Sequence, residues 1–288
     1  MDERAALGVL SERLSAAGDD CAVVDGQVLT TDMLHETTDF PEGTTRYTAG
    51  WRAVGASLSD VAAMGAEATA AVAVYSAPTF DETDLLAFVD GARDVCSAVG
   101  AEYVGGDLDD HAEFTTATTA LGRTDDPVRR SGASPGEAVC VTGTLGRSGA
   151  ALELFEGGET ERANELFRFE PRVRAGTGLA PHATAMMDSS DGLARSVHQL
   201  CAASDCGAAI ESPLPIDDAV DAVASDERER RELGTFFGED FELVCTVPEA
   251  DLPAARAAVS CPLTRIGTTT ADGVTLDGEP LPDRGYSH

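Results

Sequence analysis

Residues 56–66 read ASLSDVAAMGA, and the apolar residues Trp51, Val54, Leu58 and Val61 leading through them recur at helical spacing. The pattern predicts a helix from Arg46 to Ala66, with Gly65 placed to end it. Asp60 falls near the C-terminal end of that helix, where a carboxylate opposes the macrodipole and is a poor choice for stability alone. Working outward, AVVDGQVLTTD (22–32) has two β-branched runs around Asp25-Gly26, a hairpin signal that delivers Thr30, Thr31 and Asp32 to a strand end. Beyond the helix come a strand (ATAAVAVYSA), a helix from about Asp81 to Val99, a short strand (AEYV) and another strand (FTTATTALGR). This is an α/β half, and the polar TDDPVRRSGASPGE (124–137) reads as a linker near residue 130. A second half follows, in which strand signals (AVCV, ATAMM, GAAIE, FELVCTV) alternate with helical ones, including the solvated helix SDERERRE at 225–232. The expected division is 1–126 and 127–288.

The chain has 288 residues, 43% of them hydrophobic, enough for a buried core. Its 51 acids face 20 basic residues, all of them arginine, for a formal charge of -31. Such a surface suits concentrated salt, where like charges stop repelling at range, and points to an extreme halophile. It argues against nucleic acid as a partner, and the absence of lysine excludes Schiff-base and P-loop chemistry. No apolar run is long enough to span a membrane and the start of the chain does not read as a signal peptide, so a cytoplasmic protein is expected. Seven cysteines without a C-x-x-C pair favour buried thiols over zinc or disulfides.

Five stretches set an aspartate beside Gly, Ser or Thr at an expected element boundary: GDD (18–20), TTD (30–32), LSD (58–60), GGD (105–107) and DSSDG (188–192). Hard divalent cations take oxygen ligands from separated segments, and small neighbours let backbone N–H groups approach phosphates. Any one stretch could be halophilic surface. Apolar flanks, as in VGGDL and AMMDSSDGLA, weaken that reading, because a solvated aspartate needs none. Carboxylates gathered without a cation would repel one another, so a cluster implies metal.

Taken in order, GDDCAV, TTDML, ASLSDVAAMGA, GGD, RRSGASPGE, VTGTLG, DSSDGL and GEDFELVCTV resemble the thiamine-monophosphate kinase family, within the superfamily of aminoimidazole ribonucleotide and selenophosphate synthetases. The resemblance runs from about residue 18 to Tyr286 and implies two α/β domains, the N-terminal sheet pairing with that of a second subunit in a homodimer. It implies ATP-dependent phosphorylation of thiamine monophosphate with magnesium and no general base. Position by position it assigns magnesium to Asp20, Thr30, Thr31, Asp32, Asp60, Asp107, Asp188 and Asp191. ATP contacts fall to Gly106, Arg130 and Ser190, and the substrate side to Asp39, Glu239 and Tyr286. Asp39 stands where the family carries a histidine, and Thr37 where it carries a glycine; His35 is a candidate replacement. Two alternatives stay open: another ATP-dependent synthetase of the superfamily, and a non-catalytic nucleotide- or metal-binding paralogue. A selenophosphate synthetase would want a reactive N-terminal Cys or Sec and a lysine, and this sequence has neither.

Overall fold

The computed structural model describes residues 9, 10, 13, 14 and 16–286. Strands β1 (Ala22–Val24) and β2 (Gln27–His35) form the hairpin, with Asp25 and Gly26 both at positive φ (51° and 76°), the backbone that a two-residue turn between twisted strands requires. With β3 (Glu67–Ala77), β4 (Glu102–Asp110) and β5 (Thr115–Arg123), the hairpin builds a five-stranded sheet in the order β1-β2-β5-β3-β4. All neighbours run antiparallel except β3 and β4. The short α1 (Glu36–Asp39) follows β2, and α2 (Arg46–Ala63) and α3 (Glu82–Val99) cover one sheet face. They pack closely because Gly50 and Gly91 lack side chains: a Cβ on Gly50 would stand 2.1 Å from the Phe88 carbonyl oxygen, and one on Gly91 2.0 Å from that of Tyr47. The other sheet face presents Leu29, Met33, Val72 and Val104 to solvent.

Strands β6 (Ala138–Thr142), β7 (Ala185–Asp188), β8 (Gly207–Ile210), β9 (Leu243–Val247), β10 (Leu263–Thr270), β11 (Val274–Leu276) and β12 (Glu279–Pro280) form a second sheet ordered β12-β11-β8-β10-β6-β9-β7. Its helices include α4 (Arg147–Glu156), α5 (Thr160–Phe167), α6 (Val173–Leu179) and α7 (Leu193–Ser204). Apolar residues of α2 (Val54, Leu58, Val61) share one core with Met186 of β7 and with Leu243 and Cys245 of β9. Helix α2 is therefore common to both halves, which carries Asp60 to their junction.

Two boundaries differ from the sequence reading. AEYV was expected to end a strand, but β4 runs on to Asp110 because Gly105 (φ 143°) takes up a register shift and pairing with β3 resumes beyond it. GGD therefore lies inside a strand. Thr30–Asp32 likewise sit within β2, which continues to His35 along its partner β5. The linker region contains no helix or strand but is tied to both halves: Val128 N donates to the Met64 carbonyl (3.1 Å), and Met186 N donates to the carbonyl of Arg129 (2.9 Å). None of the described cysteines is in a disulfide, and five of the seven are buried.

Candidate active site

Two serines of α2 hold the acidic centre together. The Ser57 hydroxyl donates to Asp32 on β2 (2.6 Å), and that of Ser59 donates to Asp188 at the end of β7 (2.7 Å). Asp60 itself accepts from the Thr30 hydroxyl. Asp20, just before β1, takes both Nε (3.1 Å) and Nη2 (2.8 Å) of Arg130 from the linker. One carboxylate oxygen each from Asp20, Asp60 and Asp188 lies within 4.8 Å of the others, with Asp20 and Asp188 buried and Asp60 half-buried.

Burial, then repulsion from Asp32, Asp188 and Asp20, lifts Asp60 well above the ordinary carboxylate range. Asp188 is pushed up to about 7, by burial first and then by Asp20, against the pull of Ser59 and Arg130. Asp32 is raised by burial and by the charges of Glu239 and Asp20. Burial works against the charge on Arg130 but is outweighed by Asp20, Asp188 and Asp60, which hold it above its ordinary value. Such a group favours either protons or a cation, and its donors are all oxygens from separated segments, the set a hard divalent ion takes.

A second feature lies beside it. Asp39, Glu239 and Tyr286 line one cavity of about 110 Å³, together with Phe40, Phe167 and Phe237. Tyr286 packs on Phe237 with ring centroids 5.1 Å apart. Glu239 arrives on a strained loop, at φ 68°, with its N–H donating to the Ser190 carbonyl (2.6 Å). The loop is clamped on either side. Asp240 accepts from the backbone N–H of Gly146 and Ser148 at the start of α4, and Glu242 takes Nε and Nη2 of Arg172 (2.7 and 2.6 Å). Two carboxylates and four aromatic rings around one cavity suit a flat organic cation.

Residues 18–124 match the family described as AIR synthase related protein, N-terminal domain, and residues 134–278 its C-terminal domain. A thiamine-monophosphate kinase of Halobacterium salinarum is 64% identical over 291 residues, spanning 100% of both chains. This chain belongs to the thiamine-monophosphate kinase family. Among solved members, the enzyme of Stenotrophomonas maltophilia superposes at TM-score 0.82 with 30% identity, over 91% of this chain and 90% of that one. AaThiL complexed with AMPPCP and TMP superposes at 0.89 with 27% identity, over 99% and 96%.

Of the magnesium positions that family resemblance assigned, the fold brings together Asp20, Asp60 and Asp188, with Asp32 and Thr30 alongside and the ATP residue Arg130 already on Asp20. Ser190 and Asp191 follow β7, the first offering its N–H to Asp188 (3.4 Å), the second its carbonyl to Tyr286 N (3.0 Å). Gly106 lies in the transverse row Asp32–Thr118–Ala73–Gly106, three strands and roughly 14 Å from Asp32. A Cβ there would meet the Ala73 carbonyl oxygen at 1.7 Å. Thr31 and Asp107 belong to rows that alternate with this one and face the uncovered side; Asp107 is exposed and accepts from Leu108 N (2.9 Å). Of the acids and bases left open in HETTD, Glu36 pairs with Arg46 (2.6 Å), and His35 Nδ1 lies 3.1 Å from the Thr115 hydroxyl. Asp39 accepts from His35 N (2.7 Å). Ser57 and Ser59 were missed in the sequence, although serines set among apolar residues on opposite sides of one helix, one towards β2 and one towards β7, are a signal that something polar needs holding there.

Proposed function

We propose that this protein transfers the γ-phosphoryl group of ATP directly to the phosphate of thiamine monophosphate, giving ADP and thiamine diphosphate, with magnesium as the metal. The observation that carries the reading is the adjacency, across α2, of an all-oxygen carboxylate group and a cavity with two acids and Tyr286. Asp20, Asp32, Asp60 and Asp188, with Thr30, Thr31, Asp107 and Asp191 as further ligand positions, would hold the metal. When bound, magnesium neutralises phosphate charge and helps to align donor and acceptor.

The protein's own groups supply the rest. Arg130, kept charged by its carboxylate neighbours, is positioned to meet nucleotide phosphate once cations satisfy Asp20. Gly106 and Ser190 offer close backbone approach to ATP. The aminopyrimidine and thiazolium rings occupy the cavity of Asp39, Glu239 and Tyr286, where charge and cation–π attraction favour a cation. The acceptor phosphate is already ionised at neutral pH, so no protein group has to remove a proton. Supplied with ATP and a panel of phosphate acceptors, the protein should release ADP and thiamine diphosphate one for one. ADP release that ignores thiamine monophosphate would instead support a different synthetase reaction, and no release at all a binding paralogue.

Among the described residues no helix is long and apolar enough to cross a membrane, and we place the protein in the cytoplasm. We take residues 1–126 as the domain for metal, nucleotide and subunit contact and 127–288 as the domain that completes the site. The uncovered face of the first sheet, with Leu29, Met33, Val72 and Val104, is the surface for a second copy. Thr31 and Asp107 lie on that face, so any role for them in the site is completed in the dimer. Light scattering in high salt should give twice the chain mass, and Met33→Asp with Val72→Asp should give one. A wild-type monomer at micromolar concentration would rule out the dimer.

A further inference from the structure

Arg52, on the face of α2 towards the second half, is one of the largest fully buried side chains, with 1% of its surface exposed. Its Nη2 donates to Glu239 Oε2 (2.5 Å), and its Nη1 donates to the Phe167 carbonyl (2.5 Å) and to the Ser148 hydroxyl oxygen (3.2 Å). Ser148 in turn donates to the main-chain oxygen of Glu239 (2.6 Å). The guanidinium stacks 3.5 Å from the ring centroid of Phe167, a residue of the same cavity that Glu239 lines. Burial lowers the pKa of Arg52, and the nearby Glu239 carboxylate works the other way.

A buried ion pair is weak support for a fold, because apolar side chains of similar volume serve stability as well. What this one does achieve is orientation. Glu239 sits in left-handed backbone that a glutamate rarely adopts, and such strain persists only where the surroundings over-determine it. Arg52 grips the side chain while Ser148 grips the main chain. The same helix carries Ser57, Ser59 and Asp60, so the anchor of the cavity acid and the anchors of the acidic centre ride on one rigid rod. Arg52 and Asp60 are eight residues apart, about 12 Å along the axis.

We propose that Arg52 is a positioning residue: it fixes the Glu239 carboxylate against the organic cation of the substrate, and α2 thereby sets the distance from that cation to the transferring phosphate. The inference rests on the proposed function. With Oε2 held by Arg52, Oε1 is the oxygen offered to the ligand. Replacing the guanidinium frees the carboxylate and loosens the ring end of the substrate without touching the nucleotide.

The test is a double-mutant cycle with Arg52→Met, Arg52→Lys, Glu239→Gln and Arg52→Met/Glu239→Gln, each checked for folding by circular dichroism in high KCl. Arg52→Met should raise KM for thiamine monophosphate roughly 10–100-fold, the range seen when partners behind a binding group are removed. KM for ATP should stay within about twofold, Arg52→Lys should recover most of the loss, and Arg52→Met should add little once Glu239 is glutamine. Should Arg52→Met not fold, Arg52→Lys alone carries the cycle: its smaller KM shift should vanish in the Glu239→Gln background. Equal effects on both substrates, or effects that multiply with Glu239→Gln, overturn the role of Arg52. Absence of thiamine diphosphate from the wild type in the same series overturns the proposed function, and the role of Arg52 with it.

Discussion

Asp60→Asn should lower turnover of thiamine monophosphate by about a thousandfold or more, while raising the melting temperature of the metal-free protein. Asparagine has nearly the shape of aspartate but is a poor ligand for a hard cation. Loss of a metal contact worth several kcal/mol at the transferring phosphoryl group corresponds to about three orders of magnitude in rate. The stability change has the opposite sign because Asp60 is a strained anion without metal: burial, then Asp32, Asp188 and Asp20, raise its pKa. A carboxyl group whose folded pKa lies above its unfolded value favours the fold below the unfolded pKa. That contribution is lost as pH rises toward the folded value. The advantage of asparagine should therefore be small near pH 4 and larger at neutral pH in EDTA. Activity near wild type would remove Asp60 from the site. A melting temperature that falls at neutral pH would contradict the repulsion.

The elements that could be read from the sequence are those in which local pattern and tertiary environment agree. Helix α2 shows its apolar stripe and its glycine stop, and the Asp25-Gly26 hairpin its turn chemistry. Strand β4 was read too short because the glycine pair looks like a terminator, and only pairing with β3 carries the backbone through it. In the site, apolar flanks marked Asp188 as an unusual acid, and its burial against Ser59 supplies the reason. The burial of Arg52 was not legible: an arginine on a helix face usually snorkels to solvent, and nothing local reveals that Glu239, 187 positions away, will cover it. Nor could spacing tell which side of the sheet Asp107 would take, since a strand reverses its side chains at every residue and the shift at Gly105 resets the count.

The uncovered sheet face illustrates the same limit. Its apolar residues alternate with buried ones, so in sequence they look like ordinary strand positions. Only the placement of α2 and α3 on the other side shows that they lack a cover.

The overall charge bears on catalysis as well as solubility. ATP is strongly anionic and the chain carries -31, so at low ionic strength the long-range field repels the nucleotide. Any monovalent salt relieves that repulsion by shortening the Debye length, whereas the group of Asp20, Asp60 and Asp188 needs a hard divalent ion in direct contact. The two requirements separate in one measurement: thiamine diphosphate formed from ATP and thiamine monophosphate, followed by phosphorus NMR across a KCl series, with magnesium and with excess EDTA. Formation should rise with KCl up to molar concentration when magnesium is present, and be absent at every KCl concentration in EDTA. Substantial thiamine diphosphate in molar KCl with EDTA would contradict the metal-dependent transfer and return these aspartates to the solvated surface.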